Sequence, residues 1–303
     1  MRTSSLTLLV ATLALAAPAR ASAGLRVVTT TEGLAALARE VLGDRGEVAS
    51  LSRGVQDPHF VDANPALAVK LRDADHLVDV GLDLEIGWLP PLVNQSRNAA
   101  IQPGGPRRLT AASAVRVLDV PTGPVDRSAG DLHPGGNPHF LTDPDRALAV
   151  AQAIAARLAL LDPGGAAGYA ARAAAFATAL AADQARWKGT LAPFQGRKVF
   201  IHHRTLTYLL AWSGLVEVGE MEPKPGTPPP PAHLASLVTL AKRDGVKACL
   251  VEGYYDPKSD ELVARLSGAR LVVLPGDVGG DPAARSYRAY MDLVVSRLVE
   301  GVR

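Results

Sequence analysis

Short apolar runs alternate with longer segments of helical periodicity along most of the chain. In the first part, this pattern predicts strands at 25–31 and 76–81 and helices at 32–43 and 64–75. The second of these helices has Asn64 as its predicted N-cap and Pro65 at its first position, and both residues favour a helix start there. Such rapid alternation of strands and helices is typical of α/β units built around a mostly parallel sheet.

The same alternation returns in the last third of the chain. It predicts strands at 197–203, 247–253 and 270–276, an extended proline-stiffened loop at 217–231 and a terminal helix at 286–302. An alanine-rich segment from Ala166 to Leu191 precedes this part and has apolar residues at helical spacing. At 1.5 Å per residue this helix is roughly 40 Å long, enough to pass from one domain to another.

The predicted fold class is therefore α/β, with two lobes of mostly parallel sheet bridged by a single long helix. We expect an N-terminal lobe at 24–165, a linking helix at 166–192 and a C-terminal lobe at 193–303. Residues 90–139 are rich in Gly and Pro and predict an irregular connection. No close sequence repeat relates the two lobes, although their predicted elements follow in a similar order.

Residues 1–23 have the pattern of a secretory signal peptide. One basic residue, Arg2, precedes an apolar run at 6–17, and small residues at 21–23 supply a cleavage site. The apolar run is too short to span a bilayer. No cysteine stands near the cleavage site, so we expect a periplasmic protein without a lipid anchor. The single cysteine, Cys249, lies in an apolar run and predicts a buried, inert thiol.

Charge and composition argue against several classes of partner. The formal net charge is +2, with Lys and Arg interspersed among Asp and Glu, so the chain has neither a basic patch for nucleic acid nor a polybasic membrane tail. Aromatic residues make up only 5% of the chain, which argues against stacking on bases or sugars. We expect a globular protein that makes no direct insertion into a membrane.

The candidate functional residues are mainly histidines, two of which stand in matching sequence contexts. Of seven histidines, His59 and His139 each follow a proline and precede a phenylalanine, in QDPHF and NPHF. His202 and His203 end a predicted strand, and Asp277 lies in the loop after another. Ligand groups in α/β sheets gather at the carboxyl ends of strands. Imidazoles with a carboxylate suit a transition-metal ion, so a metal site is one interpretation of these residues.

The same stretches carry a family resemblance. GVQDPHFVDANPALAVKLRDADHLVDVGLDLEIGW, GNPHFLTDPDRA, FIHHRTLTYLLAWSGL, MEPKPGTPPP and VVLPGDVGG follow one another along the whole mature chain. In these segments the chain resembles the metal-binding solute receptors of zinc and manganese ABC importers. The resemblance implies two α/β lobes bridged by one rigid helix, a metal ion in the cleft between them, and delivery of that ion to a membrane ABC permease. We expect a monomer without enzymatic activity.

The resemblance also implies the ligands, position by position. His59 matches the first family histidine, in D-P-H, and His139 matches the second, in N-P-H. The third stands five residues before a tyrosine, and His203 has that spacing to Tyr208. Asp277 in PGDVGG matches the aspartate of the fourth position. Three imidazoles favour Zn²⁺ over Mn²⁺, which prefers oxygen ligands.

The chain departs from the zinc-type pattern before its second ligand. Many zinc-type members carry a long histidine run there, whereas this chain has only Asp131 and His133 in a Gly/Pro loop. We expect His133 to be a solvated loop residue and Glu252 to be a structural hydrogen-bond acceptor. His202 is an unusual neighbour for a ligand, and is either a hydrogen-bonding partner of the site or an exchanging ligand.

Two other functions remain open on the sequence. A secreted zinc-dependent hydrolase would need an open coordination position and a general base. Neither H-E-x-x-H nor a nucleophile elbow occurs, and only Glu220 and Glu252 offer an acid, at long reach. A metal-binding adhesin of the same fold is the third interpretation, and such a protein would usually carry an anchor, of which the sequence shows no sign.

Overall fold

Residues 24–123, 133–224 and 226–303 are described by a computed structural model of the protein. The strands are β1 (Leu25–Thr29), β2 (Gly46–Ser50), β3 (His76–Asp79), β4 (Arg108–Thr110), β5 (Lys198–Ile201), β6 (Val216–Glu220), β7 (Ala248–Glu252) and β8 (Arg270–Leu274). The helices are α1 (Glu32–Leu42), α2 (Pro65–Arg72), α3 (Leu89–Ser96), α4 (Pro144–Leu161), α5 (Ala166–Leu191), α6 (Thr207–Ser213), α7 (Pro231–Asp244), α8 (Lys258–Ser267) and α9 (Tyr287–Val302).

The strands form two four-stranded sheets that are parallel throughout. The order is β2-β1-β3-β4 in the first sheet and β6-β5-β7-β8 in the second, so both lobes use one topology. Parallel neighbours require a crossover connection, and the helices supply most of these connections. The predicted fold class, two α/β lobes with parallel sheets and one long helix, is confirmed.

Each sheet is covered by helices on both faces. In the first sheet, successive residues of β1 point to opposite sides, so that Val27 joins the large central core and Val28 packs with α2 and α3. The second sheet repeats this arrangement, since Val199 faces the central core and Phe200 packs with α7 and α8. The central core is shared between the lobes through α1, α4, α5 and α9.

Helix α5 is fastened to both lobes. Near its start, Arg172 Nε donates to the carbonyl of Val41 at the end of α1, at 2.6 Å. Near its end, the buried Trp187 donates its indole N–H to Asp292 of α9 at 2.7 Å. The helix has 26 residues. It therefore links the N-terminal lobe to the C-terminal lobe through direct polar contacts as well as through the shared core.

Two regions differ from the elements that the pattern predicts. The segment 90–139 contains α3 and the short strand β4, although its composition indicated only an irregular connection. The prediction of an extended loop from residue 217 is wrong for its first part, because Val216–Glu220 pairs with β5 as the edge strand β6. This strand is largely exposed and carries no buried alternation, which is the signal that strand prediction depends on.

Two further predictions concern burial and the membrane. Cys249 is buried, and this burial raises the pKa of its thiol to about 12, so the predicted inert thiol is confirmed. Across residues 24–123, 133–224 and 226–303, no helix combines the length and apolarity needed to cross a bilayer. The predicted signal peptide at 1–23 lies outside the described residues.

Candidate metal centre

Three histidines from distant parts of the chain converge between the lobes. His59, His139 and His203 each offer a ring nitrogen, and the three nitrogens lie within 4.8 Å of one another. The ring centroids are 5.1 Å apart for His59 and His139, 5.8 Å for His59 and His203, and 6.1 Å for His139 and His203. The structure therefore brings together three of the four side chains that the sequence singled out.

The matching D-P-H and N-P-H motifs form the same local structure. Asp57 Oδ1 accepts a hydrogen bond from the backbone N–H of His59, and Asn137 Oδ1 accepts one from the backbone N–H of His139, both at 2.9 Å. Each is an Asx turn, in which a short side chain caps the backbone two residues on. The intervening proline has a fixed φ and no N–H of its own, so it suits the middle of the turn.

The His59 ring is oriented by the same carboxylate that forms its turn. Nδ1 of His59 lies 2.7 Å from Asp57 Oδ1, so this nitrogen carries a hydrogen and the opposite nitrogen, Nε2, is left as the lone-pair atom. Trp88 is buried and donates its indole N–H to the carbonyl of Pro58 at 2.9 Å. Backbone and ring are therefore both fixed before any ion arrives.

His139 presents a buried nitrogen that nothing else uses. Its Nε2 is buried and has no hydrogen-bond partner among the described residues. Burial, together with the neighbouring His59 and His203, holds the pKa of His139 well below its usual range. A neutral imidazole with a free lone pair is what a divalent metal ion requires.

His203 is oriented by a chain of charged groups in the C-terminal lobe. Its Nδ1 lies 3.4 Å from Glu222 Oε2, and the other oxygen of Glu222 lies 3.6 Å from His202 Nε2. His202 Nδ1 in turn contacts Asp260 Oδ2 at 2.7 Å. Although burial opposes the charged form, the hydrogen bonds to Asp260 and Glu222 raise the pKa of His202 to about 10. Both ring nitrogens of His202 face carboxylates, which favours a role as a hydrogen-bonding partner of the site over that of an exchanging ligand.

Asp277 lies outside the group of three histidines. Its Oδ2 accepts from the backbone N–H of Gly33 at 2.9 Å, and its Oδ1 accepts from that of Val278 at 2.8 Å. Burial nevertheless raises the pKa of Asp277 to about 6. The contact with Gly33 joins the loop after β8 to the first turn of α1, so it connects the two lobes. As the fourth ligand, Asp277 stays a prediction.

Glu252 lines the same interlobe cavity as His139 and Asp277. It is 2% exposed, and burial raises the pKa of its carboxyl to about 7. Neither oxygen has a hydrogen-bond partner of normal geometry in the part of the chain that the structure describes, although the Thr205 side chain lies near enough to lower the pKa of the carboxyl. The expected role as a structural hydrogen-bond acceptor therefore stays a prediction. A carboxyl with this pKa changes charge near neutral pH, next to the site.

His133 is not the solvated residue that its loop composition indicated. Its Nδ1 lies 2.8 Å from the carbonyl of Leu82, and its Nε2 lies 3.3 Å from Nε2 of His59. Burial lowers the pKa of His133 to about 4. Asp131, the other residue that the sequence placed in this loop, lies outside the described residues.

Sequence reasoning missed the side chains that hold the ligands in place. The roles of Asp57 and Asn137 were readable, because both stand two residues before a histidine with proline between, which is an Asx-turn signal. Glu222 and Asp260 had no such signal, since they lie 19 and 57 positions after His203 and only the fold brings them near.

Fold and site together define a two-lobed α/β protein with an interlobe cluster of histidines suited to a transition-metal ion. A family model described as zinc-uptake complex component A, periplasmic (ZnuA), matches residues 27–301, and the chain belongs to this family. It is similar to the high-affinity zinc uptake system protein ZnuA of Paracoccus denitrificans, with 28% identity over 95% of this chain and 94% of that protein.

Solved structures share the fold. A crystal structure of ZnuA has a TM-score of 0.77 and 22% identity, covering 92% of this chain and all of that one. A manganese-bound mutant of the periplasmic metal-binding protein from Candidatus Liberibacter asiaticus has a TM-score of 0.76 and 17% identity, with 92% and 100% coverage. The fold is thus common to metal-binding proteins with different ions.

Proposed function

We propose that this protein captures Zn²⁺ outside the cytoplasm and delivers it to a membrane ABC permease for import. The observation that carries the proposal is the cluster of His59, His139 and His203, whose ligand nitrogens lie within 4.8 Å of one another. Membership of the zinc-uptake family and similarity to a zinc uptake protein support the same function. The ion is cargo in this proposal, so it must be bound tightly and also released.

The donor set favours zinc over manganese. Three neutral imidazoles are good ligands for Zn²⁺, whereas Mn²⁺ prefers carboxylate, carbonyl and water oxygens. On the sequence match alone the fourth ligand is Asp277, which must exchange its bonds to the N–H groups of Gly33 and Val278 for the metal in order to bind it. The fold by itself does not select the ion, because a manganese-bound protein shares it.

We propose a binding role without catalysis. A zinc hydrolase needs a general base beside an open coordination position, and Glu222, the carboxylate nearest His203, is already engaged by two histidines. These contacts hold the pKa of Glu222 at about 2 despite its burial. Such a weak base is a poor proton acceptor at neutral pH. Glu252 lines the same cavity with a pKa of about 7, so the proposal of binding without catalysis rests on membership of the zinc-uptake family. The fold is shared with a laminin-binding adhesin from Streptococcus agalactiae, at a TM-score of 0.74 and 23% identity. The zinc-uptake family model matches residues 27–301 and favours uptake over adhesion.

The decisive experiment is a titration of metal-free protein with Zn²⁺ and Mn²⁺ in the presence of a competing chelator. We expect one zinc ion per chain, bound at least about a thousandfold more tightly than manganese. Equal affinity for the two ions, or no retained zinc in native mass spectrometry, would contradict the proposal. Loss of growth on low zinc after deletion of the protein, restored by added zinc, tests delivery separately from binding.

Cellular placement is part of the proposal. Residues 1–23 are proposed to be a cleavable signal peptide that sends the mature chain to the periplasm, where it acts as a monomer. N-terminal sequencing of the native protein should find Gly24 first. Sedimentation of the apo and zinc-loaded protein should give a single species of about 29 kDa, as expected for some 280 residues at the average residue mass of this chain. A persistent dimer would contradict the monomer.

A further inference from the structure

His133 is a histidine beside the cluster that the matched ligand set leaves out. Its ring centroid lies 5.4 Å from that of His59 and 6.3 Å from that of His139. The corresponding separation between His139 and His203, both members of the cluster, is 6.1 Å. By ring centroid, His133 is almost as close to His139 as His203 is. Its nitrogens are not part of the group of three whose ligand atoms all lie within 4.8 Å of one another, so binding the same ion requires its ring to move towards His139 and His203.

Hydrogen bonds determine where the hydrogens of the His133 and His59 rings lie. Nδ1 of His133 is 2.8 Å from the carbonyl oxygen of Leu82, and Nδ1 of His59 is 2.7 Å from the carboxylate of Asp57. Both partners can only accept, so each Nδ1 must carry the hydrogen of its neutral ring. The two Nε2 atoms then both carry lone pairs, and they face each other with no hydrogen between them.

The distance between these two atoms matches that between two ligands of one metal ion. Zinc binds imidazole nitrogen at about 2.0–2.1 Å in tetrahedral geometry, which places two such nitrogens about 3.3–3.4 Å apart. Nε2 of His133 and Nε2 of His59 are 3.3 Å apart. Two lone pairs in this arrangement repel each other unless a cation lies between them.

A tight turn holds His133 in this position. The backbone N–H of Gly136 donates to the carbonyl of His133 at 3.0 Å, and Gly136 adopts a φ of +101°, which other residues rarely do. A Cβ atom at this glycine would lie 2.5 Å from a methyl carbon of Val117. Beyond the turn, the N–H of Asn137 donates to the carbonyl of Leu118 at 2.9 Å.

The carbonyl that orients His133 belongs to a strained loop. Leu82 and Asp83 have φ angles of +55° and +62°, in the left-handed region that leucine in particular avoids. The loop is held by the buried carboxylate of Glu85, which accepts from the N–H groups of Val80 at 2.7 Å and Gly81 at 3.1 Å. Strain of this kind persists where a binding site needs a particular backbone geometry.

We propose that His133 is the fourth nitrogen ligand of the captured ion, which it binds through Nε2 together with His59, His139 and His203. This inference rests on the proposed function, because it names a further ligand of the same site. It places an imidazole where the sequence match put Asp277, whose oxygens are engaged by backbone N–H groups. The resulting four-nitrogen site suits Zn²⁺ and is a poor one for Mn²⁺.

The test compares full-length mature protein with four variants: His133→Asn, His133→Ala, Asp277→Asn and His233→Ala. The His133→Asn side chain can still donate to Leu82 but has no imidazole. His233 is the matched control, since its ring contacts the carbonyl of Glu220 and lies outside the cluster. Zinc affinity is measured by chelator competition, and the ligand set by X-ray absorption of the zinc form and by visible spectra with Co²⁺ as the probe.

We expect both His133 variants to lose about tenfold or more in zinc affinity, with one fewer imidazole in the X-ray absorption analysis and an altered Co²⁺ spectrum. Asp277→Asn should lose less, and His233→Ala should match the wild type. Unchanged spectra and affinity in His133→Asn would overturn the inference, and a larger loss in Asp277→Asn would assign the fourth position to Asp277. Absence of zinc binding in the wild type is a different result, because it defeats the proposed function itself.

Discussion

The two lobes hold their site histidines in different ways. In the N-terminal lobe, Asp57 forms the turn that precedes His59 and also accepts from its ring, so both contacts come from two residues away. In the C-terminal lobe, one carboxylate oxygen of Glu222 contacts the ring of His203, and the other contacts the ring of His202. The first arrangement is local and self-contained, whereas the second is a relay of side chains from three separate elements.

This difference shows that two sheets of the same topology can orient a ligand histidine in two different ways. Both sheets have the same strand order, and each presents its ligands beyond the carboxyl ends of strands. Local turns make the position of His59 robust to changes elsewhere in the fold. The charged relay ties His203 to α8 through Asp260, so its geometry depends on how the C-terminal lobe is packed.

Removing one imidazole from either lobe should have the largest effect. We expect His59→Ala in the N-terminal lobe and His203→Ala in the C-terminal lobe each to weaken zinc binding by more than about a hundredfold, because a lost ligand costs more than a lost supporting contact. Competition titration and native mass spectrometry measure this. If only one of the two variants lost zinc, the ion would belong to a single lobe and not to the cleft.

Weakening the supporting carboxylates should separate the two arrangements. Glu222→Gln should cost about tenfold to a hundredfold in zinc affinity, since it removes a charge that both histidines of the relay use. Asp57→Asn should cost only a few-fold, because an amide oxygen can accept both bonds, as Asn137 does for the backbone of His139. Calorimetric titration with zinc measures the affinity of both variants. A larger loss of affinity in Asp57→Asn than in Glu222→Gln would show that the N-terminal arrangement depends more on its carboxylate.

Zinc affinity should fall as the medium becomes acidic, because a ligand histidine must be neutral to bind. Burial and the neighbouring histidines hold the pKa of His139 well below its usual range, so this ring has less proton to displace than an ordinary histidine. We therefore expect a log–log slope below 3 between pH 6.5 and 5. Because burial raises the pKa of Asp277 to about 6, this carboxyl also takes up a proton in the same window. Chelator-corrected titrations at several pH values measure the slope, and a flat profile from pH 7 to 5 would exclude these histidines as ligands.

Two buried histidines outside the ligand set extend the contrast to stability. His76 in β3 is neutral, because burial lowers its pKa to about 4, whereas the charged His202 has a pKa of about 10. In the unfolded chain His76 takes up a proton near pH 6.5. In the folded protein the same side chain is protonated only near pH 4. From pH 7 to 5 this histidine should therefore cost about 2 kcal/mol of unfolding free energy.

The matching experiment is urea unfolding of the metal-free protein at pH 7 and pH 5. His76→Gln should lose that part of the acid dependence, so that its stability changes less between the two pH values than the wild type does. His202 acts in the opposite direction: its stabilisation is complete below pH 6.5 and declines as the pH rises towards 10. An acid dependence that is identical in the wild type and His76→Gln would show that His76 does not titrate as its burial indicates.

Much of the architecture could be predicted from the hydrophobic pattern and from the residues that cap the helices. The helix boundaries at Asn64 and Asp143 follow from their capping side chains, which accept from backbone N–H groups two residues on. Strand β6 could not be predicted, because an edge strand exposed on its outer side shows no buried alternation. The pairing with β5 that defines it is a long-range contact.

The candidate site divides along the same line. His59 and His139 could be singled out because their motifs are local and match one another, whereas the choice of His203 over His202 came from the family resemblance. His133 could not be assigned to the site, because the composition of the segment around it predicts only a loop. The contact of its ring with the carbonyl of Leu82 turns its Nε2 towards His59, and this contact depends on the fold. Turns and helix caps are determined by residues that are neighbours in the sequence. Contacts between side chains from different loops depend on how the lobes pack. The sequence by itself thus determined the lobes, the turns and three of the histidines, and only the tertiary structure decided which further groups face them.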